Sequence, residues 1–316
     1  MGLLGGHGNQ SNGTNVQRVM RSPSRPHLLL AAAAGALALA ACGEASPSAD
    51  TTNATVAPTT VPPTTDPPTT VPPTPAGYDH PTGADDVVIQ VAFEGGFVPV
   101  DLAFTQPPTL LITGDGRAIT QGAVPAIYPG PLLPALVERT ITEDGIQTLL
   151  AKADELGLLA DVEYGDPPTP VTDVPDTVVT ITADGATYRH VAYALGIDDE
   201  PEEARANLYE FVTAATDLAT TVGESELGTE APFMSDSYLI RAMPVDTATM
   251  TTELPPTYVD WPADASVRLA DAAECAELPA AEGDPLFADA TQLTFFTDAG
   301  VTYSVAATQQ VPGRTC

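Results

Sequence analysis

Acidic side chains are the most abundant groups in this sequence that could do chemistry. The chain has 42 Asp and Glu residues against 11 Lys and Arg residues. Two carboxyl groups can act as the acid and the base of a glycosidase-type hydrolysis. Accidental pairs are common among so many acids, so the sequence does not single out a catalytic pair.

Nucleophilic catalysis has little support in the sequence. A Ser or Cys nucleophile needs a nearby base, and the chain after residue 42 contains only His80 and His190. His190 follows Arg189 in a predicted strand, where a histidine is more often a surface or core-edge residue than a catalytic base. The GxSxG, HExxH, P-loop, GxGxxG and EF-hand patterns are missing. We therefore name no catalytic residue and expect no cofactor.

The densest acidic cluster comprises Asp198, Asp199, Glu200, Glu202 and Glu203. Extracellular carboxylates can bind calcium without a named motif. Acids also complement the dipole at the N-terminus of a helix, and a predicted helix begins at this point. We favour the helix interpretation and predict no metal site.

The segment from Gly122 to Pro134 is the best candidate for an interaction site. Its four prolines stiffen it, and its apolar content is unusual for a loop; the large apolar residues are Ile127, Tyr128, Leu132 and Leu133. If these side chains face water, they form a rigid patch of the kind that anchors interfaces. If they pack against a sheet, they only cover its edge, which is the commoner arrangement for such residues.

Residues 1–41 have the parts of a secretory signal, because arginines precede an uncharged stretch, Leu28–Ala41, that is too short to span a bilayer. Leu39–Cys42 resembles the lipobox of bacterial lipoproteins. The resemblance implies cleavage before Cys42 and an anchor in the lipid bilayer, on the outer face of the cell membrane, through the acylated Cys42. The alternative is an ordinary signal peptide with an incidental cysteine. Met20, followed by Arg21, would start a compact signal, so we favour Met20 as the true start.

Residues 42–84 contain the lipidated cysteine and a stalk rich in Thr and Pro. A five-residue repeat covers 59–63, 64–68 and 69–73. Proline fixes φ and removes amide donors, so an extended polyproline II conformation is expected. We interpret this region as a disordered spacer that displays the folded part; a ligand for a proline-recognising domain is the less favoured alternative.

Cys275 and Cys316 remain once Cys42 is assigned to lipid. An even pair of exported thiols is interpreted as a disulfide. A redox-active pair is disfavoured because the CxxC spacing and flanking basic groups are missing. Closing the loop would contribute roughly 4 kcal/mol to stability by the chain-entropy model.

Periodicity predicts an α+β fold, with an antiparallel sheet built from β-hairpins. Hairpin turns are expected at 114–116, 184–185 and 298–300. Two main helices, from Thr142 to Gly157 and from Pro201 to Gly223, each carry one apolar stripe and should pack on one face of the sheet. We expect an α+β domain over 85–245 and a disulfide-tied C-terminal β section over 246–316, packed on it or continuous with it.

Three runs carry a resemblance to a known family: Glu94–Pro99, Gly114–Arg117 and Ala123–Pro131. They resemble a family of uncharacterised actinobacterial secreted proteins and lipoproteins. The resemblance extends from about residue 87 to the closing cysteine. It implies a location in the cell envelope and the extent of the domain, and it transfers no catalytic residue.

Net charge limits the partners. The formal net charge is −31, and residues 1–41 contain no acid, so the exported part is strongly acidic. Nucleic-acid binding needs a basic face, so we exclude it. The leading hypothesis is a non-catalytic binding or adapter module for an envelope protein or glycan. The alternative is a carboxylate-based extracellular hydrolase acting on cell-envelope material; a transporter's solute-binding component ranks third.

Overall fold

A computed structural model of the protein describes residues 77–167, 169–197, 202–252 and 254–316. The signal region, Cys42 and most of the stalk lie outside the described residues. The described strands are β1 Val87–Glu94, β2 Leu110–Thr113, β3 Arg117–Gln121, β4 Leu136–Thr140, β5 Asp176–Ala183, β6 Ala186–Tyr193, β7 Ala231–Pro232, β8 Ser237–Pro244, β9 Thr257–Asp260, β10 Ala276–Pro279, β11 Thr294–Asp298 and β12 Val301–Gln309. The described α-helices are α1 Val100–Thr105, α2 Glu143–Glu155, α3 Glu203–Thr216, α4 Leu218–Val222 and α5 Ala280–Phe287. None of these helices is long and apolar enough to cross a membrane.

The first sheet is antiparallel and has the strand order β6-β5-β1-β2-β3-β4-β7 within the described part of the chain. The predicted hairpins β2-β3 and β5-β6 are both present. Gly116 in the first turn has a φ of +82°, and an added Cβ would lie 2.8 Å from the Ile141 carbonyl oxygen. Only glycine combines that backbone conformation with so close an approach.

Helices α2 and α3 pack on one face of this sheet, as the apolar stripes predict. The Thr142 hydroxyl accepts a hydrogen bond from the Gly145 N–H at 3.2 Å, which caps α2. Leu149 on α2 and Phe211 on α3 are fully buried in a core that includes β1 and β5. The second predicted helix is interrupted at Asp217, whose side chain caps the short α4 that follows.

The second sheet has the strand order β10-β8-β12-β11-β9 and contains one parallel pair, β9 with β11. Its core holds Trp261, Phe287 and Phe296, with edge-to-face contacts between Phe296 and the other two rings. β8 lies between β10 and β12, so it is a strand of the second sheet. The chain therefore passes from the first sheet to the second before Ser237, and not between residues 245 and 246, where we expected the C-terminal section to begin. β8 pairs only with distant parts of the chain, so no hairpin turn marks its place in the sequence.

The C-terminal tail connects the two sheets. The predicted disulfide is confirmed: Cys275 and Cys316 have an S–S distance of 1.99 Å and a Cα–Cα distance of 5.4 Å. Before reaching Cys316, the tail crosses the face of the first sheet that is opposite to α2 and α3. There Val311 is buried against Leu111 and Ile119. Together, these features confirm the predicted α+β class with a disulfide-tied C-terminal β section.

Candidate functional site

His190 is a buried core residue with both ring nitrogens hydrogen-bonded. Nε2 lies 2.8 Å from the Leu158 carbonyl oxygen and Nδ1 lies 2.9 Å from the Tyr164 hydroxyl. The carbonyl can only accept, so Nε2 carries the proton and Nδ1 accepts from the tyrosine. Burial lowers the pKa of His190 and raises the pKa of Tyr164. With 1% of the residue exposed, His190 is not available as a base for a solvent-borne substrate.

His80 joins the N-terminal segment to α2. Its Nδ1 lies 2.8 Å from the Pro81 carbonyl oxygen, and its Nε2 lies 3.1 Å from the Glu143 carboxylate. Hydrogen bonds from Gln147 and from His80 lower the pKa of Glu143 despite partial burial, the Gln147 bond having the larger effect. Tyr78 adds a hydrogen bond from its hydroxyl to Asp154 at 2.8 Å. These contacts fix the start of the folded part and leave His80 with a structural role.

The carboxyl groups with displaced pKa values do not match the requirement for a general acid, whose pKa is raised by burial. Partial burial raises the pKa of Asp115, but bonds from the Thr113 hydroxyl at 2.5 Å and from Arg117 Nε at 3.0 Å lower it overall. The pKa of Glu143 is lowered as well.

No group of three or more His, Cys, Asp or Glu side chains in the described ranges could hold a metal ion. Asp198, Asp199 and Glu200 from the candidate calcium cluster lie outside these ranges. Glu203 is the first residue of α3, and Glu202 precedes it as the N-cap residue without a side-chain capping bond.

The four apolar residues of the proline-rich loop divide into two pairs. Leu132 and Leu133 are partly buried and pack against the core of the second sheet, and the Leu132 N–H donates to the Ala290 carbonyl at 2.9 Å. Ile127 and Tyr128 are 66% and 58% exposed. The loop is therefore fixed to the fold at one end and presents large apolar side chains to solvent at the other.

Helix α1 adds further exposed apolar residues beside this loop. None of its six residues is buried, and Phe97 just before it is 87% exposed. Leu102 on α1 lines one groove of about 360 Å³ together with Val124 and Ile127 of the loop. We use the name apolar surface for the most exposed large apolar residues of these two segments, which are Phe97, Val100, Leu102, Val124, Ile127 and Tyr128; Leu102, Val124 and Ile127 line the shared groove.

Sequence reasoning did not find the α1 half of the apolar surface. A six-residue helix without a buried stripe produces no amphipathic period. The sequence does contain one signal for this surface, which is the small number of charged residues. Residues 95–109 contain one charged residue, Asp101, and residues 122–135 contain none. In a chain with 42 acids, two neighbouring segments with almost no charge mark a surface that is kept apolar.

Two arginines from distant parts of the chain hold α1 in place. Arg241 on β8 forms an ion pair with Asp101, with a distance of 2.6 Å between Nη1 and Oδ1. Arg314 of the tail donates to the carbonyl oxygens of Phe104 and Gln106, the latter at 3.2 Å. Its guanidinium carbon also lies 5.8 Å from the centroid of the Phe104 ring.

The apolar surface and the start of the folded part lie at opposite ends of the first sheet. β1 ends at Glu94 and α1 begins six residues later at Val100, and the loop joins the end of β3 to the start of β4. At the other end, the Asp184 N–H in the β5-β6 turn donates to the Asp79 carbonyl at 2.7 Å. β1 has eight residues, which corresponds to about 25 Å at about 3.3 Å per residue.

Comparison with known proteins does not assign a function to this surface. No protein-family model matches the chain, and neither the curated proteins nor the solved structures give a significant match. The resemblance to actinobacterial secreted proteins and lipoproteins stays a prediction.

Proposed function

We propose that the protein is a membrane-anchored envelope lipoprotein whose folded part is a non-catalytic binding or adapter module. In this proposal the apolar surface binds a partner protein of the cell envelope. The observation that carries the proposal is the exposure of large apolar side chains from two segments, α1 and the proline-rich loop, around one groove. Large apolar side chains that are exposed around a groove mark interaction sites.

The loop is held in place before any partner binds. Leu132 and Leu133 pack on the core of the second sheet. The Gln292 N–H donates to the Gly130 carbonyl at 3.0 Å, and the Gly130 N–H donates to the Gln292 side chain at 3.2 Å. A fixed loop loses little conformational entropy on binding, so more of the contact energy contributes to affinity.

Charge favours one kind of partner. The chain carries a net charge of −31, so a second copy and an anionic lipid surface are both repelled. The acidic residue Asp173 lies at the rim of the apolar surface, where its carbonyl accepts the Phe97 N–H at 3.4 Å. The complementary partner is a protein segment with apolar side chains flanked by Lys or Arg.

The position of the apolar surface suits display from a stalk. The described part of the chain begins at Gly77, and Asp79 and His80 lie at one end of the first sheet. The apolar surface lies at the opposite end, about 25 Å away along β1. The segment Gly77–His80 therefore lies away from the apolar surface.

Site-specific photocrosslinking in cells tests the proposal. A photoreactive phenylalanine replaces Tyr128, and the matched control places it at Tyr258, an exposed tyrosine of the second sheet (50% exposed against 58%). We expect a protein adduct at position 128 only, with the linked partner segment containing apolar residues beside Lys or Arg. The purified partner should then bind wild-type protein about tenfold or more tightly than the Ile127→Asp variant. Equal labelling at both positions, or no protein adduct at position 128, would contradict the proposal.

A further inference from the structure

The last residues of the chain are attached to the fold at a few points. Val311 is 2% exposed in the small core on the open face of the first sheet. The residues after it, Pro312–Cys316, are half-buried or exposed, and we call them the C-terminal strap. Hollows of about 700 and 520 Å³ flank the strap, and Gly313, Arg314 and Thr315 line both of them. No residue of the strap belongs to the buried cores under α2, α3 and α5.

Arg314 is the contact between the strap and α1. The carbonyl oxygens at the C-terminal end of a helix lack partners within the helix, and Arg314 donates to two carbonyls there, those of Phe104 and Gln106. Because α1 has no buried residue, these bonds help to fix its position, together with the ion pair between Arg241 and Asp101 and the contacts of α1 with β12.

The disulfide keeps Arg314 near α1. Cys316 is exposed and Cys275 is half-buried, and their bond fixes the strap two residues beyond Arg314. Without that bond, the strap is held by Val311, by the hydrogen bond from Gln310 Nε2 to the Arg314 carbonyl at 3.1 Å and by the bonds of Arg314 itself, and keeping it ordered costs the conformational entropy of its backbone. Breaking the bond therefore weakens the contacts that Arg314 makes with α1.

We propose that the Cys275–Cys316 disulfide is a redox-sensitive control of the apolar surface, acting through Arg314 on α1. This inference rests on the proposed binding role of that surface. The reductant is a dithiol: one thiolate attacks the exposed Sγ of Cys316, the Sγ–Sγ bond breaks, and Cys275 leaves as a thiolate that takes up a proton. The second thiol then closes the reductant's own disulfide and releases Cys316 as a thiol, so two electrons pass to the protein. In the reduced protein α1 loses one of the attachments that fix it, which loosens Val100 and Leu102.

Hydrogen exchange on the full-length protein, before and after treatment with dithiothreitol, tests the proposal without any partner. The reporter amides are those of Ala103 and Gln106, which donate to the Pro99 and Leu102 carbonyls at 3.0 Å within α1. We expect them to be protected in the oxidised protein and to lose most of that protection on reduction, by about tenfold or more. The Val91 amide in the core of the first sheet should stay protected. Unchanged protection in α1 overturns the proposal, and so does loss of protection at Val91, which would mean that the bond maintains the whole fold.

An arginine variant separates the strap contact from the chemistry of reduction. Arg314→Gln keeps the disulfide and should expose the α1 amides in the oxidised protein. The matched control is Arg139→Gln, which removes another arginine that donates to a backbone carbonyl, that of Gly228 at 2.7 Å, and should leave α1 protected. An Arg314→Gln protein with α1 still protected would overturn the proposed coupling.

The binding role is tested separately. Loosening of α1 on reduction without an adduct at position 128 would contradict the proposed function alone. An adduct at position 128 that forms equally well in oxidised and reduced protein would overturn redox control alone.

Discussion

Tyr164 and His190 meet edge to face next to the core under α2 and α3, with their ring centroids 5.8 Å apart. The Tyr164 hydroxyl donates to His190 Nδ1, and His190 Nε2 donates to the Leu158 carbonyl. A protonated imidazole has two N–H donors and no acceptor, so protonation would break the bond from Tyr164 and bury a charge. The pair therefore makes the fold sensitive to acid.

The first prediction concerns the free energy of unfolding as a function of pH. The folded-state pKa of His190 is below its ordinary value of about 6.5. Below about pH 6.5 the unfolded chain binds a proton that the folded chain does not, so stability from this group is present above that pH and is lost as the pH falls toward the folded-state pKa. We expect His190→Gln to be less stable than wild type at neutral pH. Its free energy of unfolding, measured by urea titration, should fall less between about pH 7.5 and 5.5 than that of wild type.

The matched control is His80→Gln, which removes the other histidine of the folded part while keeping His190. We expect the free energy of unfolding of this variant to fall with pH as steeply as that of the wild-type protein. If His190→Gln declined as steeply as wild type, the pH dependence would belong to other groups.

The fold could be predicted from the sequence where its signals are local. Asp184 and Gly185 are adjacent in the chain, and both have the positive φ, 52° and 76°, that a tight hairpin turn needs. Thr142 likewise caps a helix that starts one residue later. Such signals need no knowledge of the rest of the fold.

Features that depend on distant contacts could not be predicted in this way. Arg205 looks like a solvent-facing residue of α3, but it is fully buried, and its guanidinium donates to the Gly165, Tyr193 and Ala194 carbonyls. The candidate site shows the same limit, because the sequence placed Tyr128 in a loop but did not indicate that α1 lies beside it.

The second prediction concerns a buried carboxylate at the end of β11. Asp298 is 4% exposed; it accepts the Leu269 N–H at 2.9 Å and forms an ion pair with Arg268. Asp298→Ala leaves that buried N–H without this acceptor, so we expect the free energy of unfolding to fall by about 2–4 kcal/mol. Asp289→Ala, at an exposed position, should change it by less than about 0.5 kcal/mol. Equal losses in urea titrations would show that Asp298 has no special structural role.

The third prediction concerns the membrane anchor. Cys42 lies outside the described residues, so the prediction rests on the lipobox after a short apolar stretch. We expect mass spectrometry of the mature protein to find an acylated Cys42 at its N-terminus, and we expect the protein to sediment with membranes. Cys42→Ser should prevent acylation. An unacylated wild-type protein in the medium would contradict the anchor.

The fourth prediction separates the two halves of the proline-rich loop. Tyr128 is 58% exposed, so Tyr128→Ala should lower the free energy of unfolding by about 0.5 kcal/mol or less. Leu132 packs on the core of the second sheet, so Leu132→Ala should lower it by about 1–3 kcal/mol. For partner binding measured on folded protein we expect the reverse order, with the larger loss of affinity for Tyr128→Ala. A large loss of stability in Tyr128→Ala would mean that this side chain supports the loop, and it would remove Tyr128 from the apolar surface.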